Sequence, residues 1–287
     1  MNPLYPVIAA CPACHGRLEW DARGAGCGCV ACGRVYAVVD GVAWMRLDAT
    51  GAPLRPAPPS PRPPVTALRR LSAATTPPDF AYKTHPSRRR IPLFVEHLGP
   101  DATILNLGSG RTTFGPRVVN LDIGPLSAVD VVAVGEQLPV QSASLDGVIT
   151  QGVLEHVPDL PATLAEIDRV LRPGGLVYHE APFIQGYHAS PNDFRRFTAV
   201  GMRELAPGYD VLEQGVAVGP SSAMMWIASE YLALLFSLGN ETLLKVGRRG
   251  FPWLLSPLKF ADAWLEGHPR ADLIASAFYI VARKRGA

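Results

Sequence analysis

The sequence is short of charge, and its few cysteines are confined to one short stretch. Only 18% of the 287 residues are Asp, Glu, Lys or Arg, against a usual share of about 25%. The 27 basic and 25 acidic residues nearly cancel, which argues against a nucleic-acid scaffold and against an acidic tail. The basic clusters Arg69-Arg70 and Arg88-Arg89-Arg90 are short. All five cysteines lie between residues 11 and 32, too few for a disulfide framework in a chain this long. The opening Met1-Asn2-Pro3-Leu4-Tyr5-Pro6 lacks a basic region followed by an apolar run, so no secretory signal is expected. A reducing, cytoplasmic setting is the working expectation. Proline, by contrast, is abundant at 28 residues, about twice its average share of roughly 5%. The chain is 48% apolar, ample material for a core, so global disorder is excluded.

These biases divide the chain into a cysteine module over 1–48, a Pro-rich linker over 49–80 and a large domain over 81–287. Ala52 to Pro64 is more than half proline and favours an extended, semi-rigid spacer. The large domain alternates strand and helix signals. Strands are expected at 102–107, 117–122, 129–134, 145–150, 176–181, 209–218 and near 271–283. Leu164, Ile167, Val170 and Leu171 share a helical period that stops at Pro173-Gly174-Gly175. Strands joined by crossovers predict an α/β fold with a mostly parallel sheet and a ligand site at the carboxyl ends of its strands.

Cys11-Pro12-Ala13-Cys14 and Cys29-Val30-Ala31-Cys32 are two C-x2-C pairs separated by 14 residues. Each pair turns two thiolates toward one point, and two such turns complete a tetrahedral sulfur site. Cys11, Cys14, Cys29 and Cys32 are therefore the expected ligands of a structural metal, zinc, with iron as the competitor. Cys27 is left as a free thiol. The segment from Cys11 through Tyr36 to Val42 also resembles the short zinc ribbons placed before some methyltransferase domains.

In the large domain, Asn106-Leu107-Gly108-Ser109-Gly110 sits where a strand should end, and glycines there let the backbone approach a ligand closely. Asp122 ends the next strand, where a carboxylate can accept two hydrogen bonds from a ribose diol. Glu136 to Pro139, Ser144 to Asp146, Gln151 to His156 and Arg169 to Gly175 follow in order. This ordered series resembles the class I S-adenosylmethionine-dependent methyltransferases of the type 11 branch, over about residues 100–205. The resemblance implies a Rossmann-like methyltransferase domain with S-adenosylmethionine as cofactor. It would place Asn106, Gly108, Ser109 and Gly110 at the methionine end, Asp122 and Ile123 at the ribose, Glu136 and Leu138 beside the adenine, and Gln151 near the sulfonium.

Three departures from that pattern stand out. Asn106 replaces the usual acid, and Val134 stands where an acid often flanks the adenine. Only 12 positions separate Gly110 from Asp122, where such folds usually have about 20. The first two crossover helices are therefore expected to be lost or reduced to single turns, leaving a sheet face that something else must cover. Ser222 to Gly239 is an 18-residue stretch with one charge. It reaches spanning length, but Glu230 near its centre would cost roughly 2.5–3.5 kcal/mol in a bilayer. It is expected to cover the bared face or pair with a second copy, with peripheral membrane contact as the alternative.

Pro182 to Thr198 is a long connection dense in His, Asp, Arg and aromatic residues, at the edge where loops carry function. His188 is the expected general base, with Asp193 as its orienter or alternative base. Thr198 reads as a helix N-cap and His179 as a packed strand histidine. Similar loop strings occur in methyltransferase-like proteins linked to glycan or secondary metabolism. The resemblance thus implies methyl transfer to a small-molecule or glycan-type acceptor, at oxygen. The rival readings are an RNA methyltransferase, against which the balanced charge stands, and a non-catalytic binding subunit.

Overall fold

A computed structural model describes residues 1–54 and 76–286. Most of the Pro-rich linker and the Arg69-Arg70 cluster lie outside the described residues. One eleven-stranded sheet organises the rest. β1 (Leu18–Trp20), β2 (Gly26–Cys29), β3 (Val35–Val39) and β4 (Val42–Trp44) form an antiparallel meander in the cysteine module. Asp40 and Gly41 both take positive φ, 52° and 76°, the backbone that a two-residue turn between β3 and β4 requires.

β4 then pairs in parallel with β7 (Val131–Val132), through Ala43 opposite Val131 and Trp44 opposite Val132. Five parallel strands follow in the order β7, β6 (Val118–Asp122), β5 (Ile104–Leu107), β8 (Leu145–Gln151) and β9 (Leu171–Pro182). β11 (Ala277–Arg283) runs antiparallel between β9 and β10 (Asp210–Val218). The order reverses between β5 and β8, so the carboxyl ends of those two strands frame the crevice where such sheets bind ligands.

The two sheet faces are closed differently. Alternation along β5 and β6 sends Leu105, Leu107, Val119 and Leu121 to one face. There they share a buried cluster with Tyr5, Tyr36 and Met45 of the cysteine module and with Ile167 of α2 (Leu160–Val170). Ala10 N donates to Pro139 O at 3.2 Å and Gln141 N to Ile8 O at 2.7 Å, fastening the module to the connection after β7. The opposite face shows Ile104, Val118, Ile149 and Tyr178, packed under Ile91, Phe94 and Val95 of α1 (His85–His97). α1 comes so close that a Cβ on Gly147 of β8 would lie 2.5 Å from Leu98.

Among the described residues no helix lies between Leu107 and Leu160. The expected loss of two crossover helices holds, and the connection from β7 to β8 lacks a helix as well. The face left bare is partly polar. Asn106 of β5 pairs directly with Asn120 of β6, and its Nδ2 donates to Asn120 Oδ1 at 3.1 Å and to Thr112 O at 3.3 Å. A loop over strands needs polar partners, where a packed helix would need apolar ones.

The apolar stretch does not provide the cover expected of it. It forms α3 (Pro220–Ser237), which pairs with α4 (Glu241–Leu255) as a hairpin. Ala233 lies against Gly247, where a Cβ would come within 3.1 Å of its Cα. No α3 residue belongs to either buried sheet cluster. Its N-terminus is held by buried Asp262, whose carboxylate accepts from Ser221 N at 2.7 Å and Ser222 N at 2.8 Å. Tyr231, Leu234 and Phe236 are exposed. Cover is unnecessary because α1, the cysteine module and the 111–117 loop already enclose the sheet. Among the described residues, no helix is long and apolar enough to cross a membrane.

His179 of β9 is fully buried, with Nδ1 2.8 Å from Thr150 Oγ1 of β8. Burial pushes its pKa down to about 4, so the folded chain holds it neutral while an unfolded chain would protonate it near 6.5. The unfolded state binds more protons between those values, so folding loses stability as pH falls from about 6.5 toward 4. The expected loss from this residue is about 3 kcal/mol. Urea unfolding at pH 7 and pH 4 should show that loss shrinking in His179→Gln. An unchanged acid loss in the variant would contradict the assignment.

Candidate functional site

The strand ends described above enclose a cavity of about 470 Å³, within the range of roughly 300–1,000 Å³ typical of small-molecule sites. Its wall includes Gly108, Gly110, Asp122, Ile123, Glu136 and His156. The glycine loop is latched across β5 and β6. Gly108 N and Ser109 N both donate to Leu121 O, at 2.8 and 3.0 Å. Gly110 N donates to Asp122 Oδ2 at 2.8 Å, and Gly124 N donates to Oδ1 at 3.3 Å.

Gly108 has φ +69°, and a Cβ there would sit 2.2 Å from Val153. The loop can take this course only without a side chain at Gly108. Gly108→Ala is therefore expected to abolish ligand binding in this cavity and to lower the melting temperature. A variant that keeps both properties would show that the close approach is dispensable.

Not every residue expected here lines the cavity. Asn106 is spent on Asn120 and the 111–117 loop, as described. Ser109 is buried behind the loop, with an Oγ that has no hydrogen-bond partner. Leu138 is fully buried in the core shared with the cysteine module, and its N–H donates to Glu166 at 2.7 Å. Leu138 follows the turn at 135–137 and points into that core, so it is a packing residue. Gln151 lies in a neighbouring cavity, its Nε2 donating to Glu180 Oε2 at 3.1 Å.

Arg46, Leu126, Ser190, Pro191 and Asn192, which the sequence does not single out, also line the larger cavity. Arg46 follows the β4–β7 pairing and comes within 3.4 Å of Ile123 O. No local pattern could have exposed it, because 77 positions separate the two residues.

The neighbouring cavity, about 260 Å³, shares Gly152 and His156 with the first. Lys83, Gln151, Glu155, Glu180, Gln185 and His188 contribute to its wall. Glu180 Oε1 accepts from Lys83 Nζ at 2.6 Å, and Oε2 accepts from Tyr178 OH at 2.9 Å. Glu155 is almost wholly buried, and its Oε1 lies 3.8 Å from both His156 Nε2 and His188 Nε2. Its Oε2 has no hydrogen-bond partner.

Each of the two histidines is turned by a carbonyl. His156 Nδ1 meets Asn192 O at 2.5 Å, and His188 Nδ1 meets Gly186 O at 2.9 Å. A carbonyl can only accept, so both Nδ1 atoms carry hydrogen and the neutral rings keep their lone pairs on Nε2. Glu155, then the Gly186 carbonyl and the Asp193 carboxylate, raise the His188 pKa against an opposing desolvation.

Asp193, expected as the orienter of His188 or an alternative base, is bound to both the His188 backbone and Arg196. Its carboxylate takes both terminal nitrogens of Arg196 and accepts from His188 N at 2.9 Å. Arg196 holds that carboxyl well below the usual range, so Asp193 stays ionised and fixes the loop that carries His188. Arg195 is engaged by the carbonyls of Val157 and Pro158. Thr198 accepts from Gly201 N at 3.0 Å and starts a 3₁₀ turn, Gly201–Leu205, in place of an α-helix.

In the N-terminal module the Cys11 and Cys32 sulfurs are 3.6 Å apart and those of Cys14 and Cys29 are 3.5 Å apart. Zinc–sulfur bonds of about 2.3 Å in a tetrahedron require sulfur separations of about 3.8 Å, so the four thiols suit such an ion. Cys27 stands outside this group.

Residues 112–179, which carry Asp122, Glu136, Glu155 and His156, match the family described as methyltransferase domain. Over that stretch the chain is similar to methyltransferase domains. A malonyl-[acyl-carrier protein] O-methyltransferase of Serratia marcescens is 34% identical, over 27% of this chain and 37% of that protein. This chain thus spans little more than a third of that relative's length. Among solved structures, the Burkholderia thailandensis 1,6-didemethyltoxoflavin-N1-methyltransferase is 20% identical, with a TM-score of 0.40 over 90% of this chain and 98% of that one. The [4+2]-cyclase SpnF is 16% identical, with a TM-score of 0.45 over 77% of this chain and 92% of that one.

Proposed function

We propose that this chain transfers a methyl group from S-adenosylmethionine to an oxygen of a small-molecule or glycan-type acceptor. The observation that carries the reading is the junction of two cavities. One has a glycine loop and an aspartate of the kind that holds a nucleoside. The other is lined by polar side chains and meets the first at Gly152 and His156.

In this reading Gly108 and Gly110 admit the methionine end of the cofactor, Asp122 accepts from the ribose hydroxyls with Ile123 beside it, and Glu136 borders the adenine. The cofactor supplies an electrophilic methyl group on a sulfonium. The chain aligns the acceptor oxygen for in-line attack within about 3–3.5 Å and excludes water. The acceptor proton leaves toward the Glu155–His156–His188 cluster, with His188 Nε2 as the receiving atom. An O-methyltransferase among the relatives is consistent with oxygen as the acceptor atom. A structural Zn²⁺ held by Cys11, Cys14, Cys29 and Cys32 completes the proposal. Four protein ligands leave that ion no open position for chemistry.

Labelled S-adenosylmethionine incubated with a panel of hydroxylated metabolites and oligosaccharides tests the activity. Label in an ether or ester product is expected, and label only on amines would overturn the choice of oxygen. Asp122→Ala removes two charge-assisted hydrogen bonds to the ribose, each worth about 1.5–3 kcal/mol. It should weaken cofactor binding on the order of 100-fold or more by calorimetry. Unchanged affinity would remove Asp122 from the cofactor site.

A further inference from the structure

Glu155 poses a question that methyl transfer alone does not answer. Its carboxylate is almost wholly buried, one oxygen has no partner, and among the described residues no lysine or arginine lies within salt-bridge distance. The nearby cations are engaged elsewhere, Lys83 with Glu180 and Arg196 with Asp193. Its near partners are the two imidazoles, and a buried carboxyl facing two ring nitrogens with one oxygen unpartnered is a donor set with room for a cation.

We propose that Glu155, His156 and His188 form a divalent-cation site on the wall between the two cavities, where the ion would take the acceptor's hydroxyl oxygen as a further ligand. Three observations agree. One carboxylate oxygen and two imidazole nitrogens lie within 4.8 Å of one another. Both imidazoles have Nδ1 tied to a backbone carbonyl, the outer contact that fixes the tautomer of a metal-binding histidine. The cluster also opens onto the acceptor cavity, which leaves coordination positions free. Bonds of about 2.1 Å need ligand separations of about 3.0–3.4 Å, so the present 3.8 Å closes with a shift of several tenths of an ångström. The donor set of two imidazoles and one carboxylate suits Mn²⁺, Fe²⁺, Co²⁺ or Zn²⁺.

This inference rests on the methyl-transfer reading and changes one element of it, because His188 Nε2 then holds the cation instead of the proton. A hydroxyl touching the cation loses its proton to solvent more readily. Its oxygen forms the new bond to the methyl carbon as the carbon–sulfur bond breaks and the electron pair stays on sulfur. S-adenosylhomocysteine and a methylated acceptor result, with no change of oxidation state.

Mn²⁺ is the probe of choice, since carboxylate and imidazole suit it far better than the thiolates of the N-terminal module. Titration of the full chain followed by electron paramagnetic resonance should show one bound Mn²⁺ per chain. Glu155→Gln and His188→Ala should each weaken it by roughly 10–100-fold or more. Cofactor affinity, read by calorimetry on the same preparations, should stay unchanged and report that the variants are folded. No binding by the parent chain at millimolar Mn²⁺, or equal binding in both variants, would overturn the site. If label transfer persists undiminished after a chelator has stripped added metal, the cation site falls while the methyltransferase reading stands.

Discussion

Replacing His188 with alanine is expected to lower turnover by about 10²–10⁴-fold while leaving affinity for S-adenosylmethionine unchanged. The split follows from where the ring sits. His188 borders the smaller cavity and is absent from the wall of the larger one. Its Nδ1 is committed to Gly186 O and its backbone N–H to Asp193, which leaves Nε2 facing Glu155 and the acceptor. In the proposed mechanism the ring supplies the atom that receives the proton or holds a cation, and of the residues lining the larger cavity it meets the ring of His156, 5.1 Å between centroids. Single-turnover rates with saturating cofactor measure the effect directly. A variant that turns over within a few-fold of the parent would show that the 183–197 loop does not carry the chemistry.

On the proposed zinc assignment, removing the ion from the four thiols is expected to unfold more than the N-terminal module. Zinc in a small four-cysteine site contributes about 10–16 kcal/mol to folding, which rivals the roughly 5–15 kcal/mol that holds a typical domain. The two parts here share one sheet and one buried cluster. Loss of the module would leave β7, only two residues long, as a bare edge. It would also uncover the face that Tyr5, Tyr36 and Met45 now close over Leu105, Val119 and Leu121. A bare edge beside an uncovered apolar face favours association. A strong thiol-competent chelator, or Cys11→Ser with Cys29→Ser, should therefore abolish the cooperative melting transition of the whole chain and produce aggregates. A transition from the methyltransferase part that survives unchanged would mean that the module is a detachable accessory.

The parts of the fold legible in the sequence are those governed by local pattern. Alternation and short apolar runs mark the strands carrying Leu105, Val119 and Val148, whereas α2 ends at Val170 and Pro173-Gly174-Gly175, expected to stop it, falls inside β9. The short interval between Gly110 and Asp122 discloses missing crossover helices. The paired cysteines announce their convergence through spacing alone. What cannot be read arises from contacts between distant positions. Ala43 and Trp44 meet Val131 and Val132 across nearly ninety residues, so continuity of the sheet has no local signature. α1 is obscured by Pro86 and Pro92, although Pro86 sits in the first turn, where its missing N–H costs nothing.

The site divides in the same way. Gly108, Gly110, Asp122, Ile123 and Glu136 line the larger cavity because strand ends and tight turns put them there. Leu138 points inward because the turn at 135–137 leads it into the core shared with the cysteine module. Asp193 shares a loop with His188, and its pairing with Arg196 three positions on decides its role. The low charge of the α3 region suggests a covering helix. The structure instead shows a helical hairpin, while the 111–117 loop lies over Asn106 and Asn120 on the face that lost its helices.

The claim on which the rest depends is that the larger cavity holds S-adenosylmethionine. Isothermal calorimetry of the full, metal-loaded chain measures it directly. The account predicts saturable binding of one S-adenosylmethionine per chain, with S-adenosylhomocysteine competing for the same site. No detectable heat with either nucleoside, from protein that melts cooperatively, would contradict it.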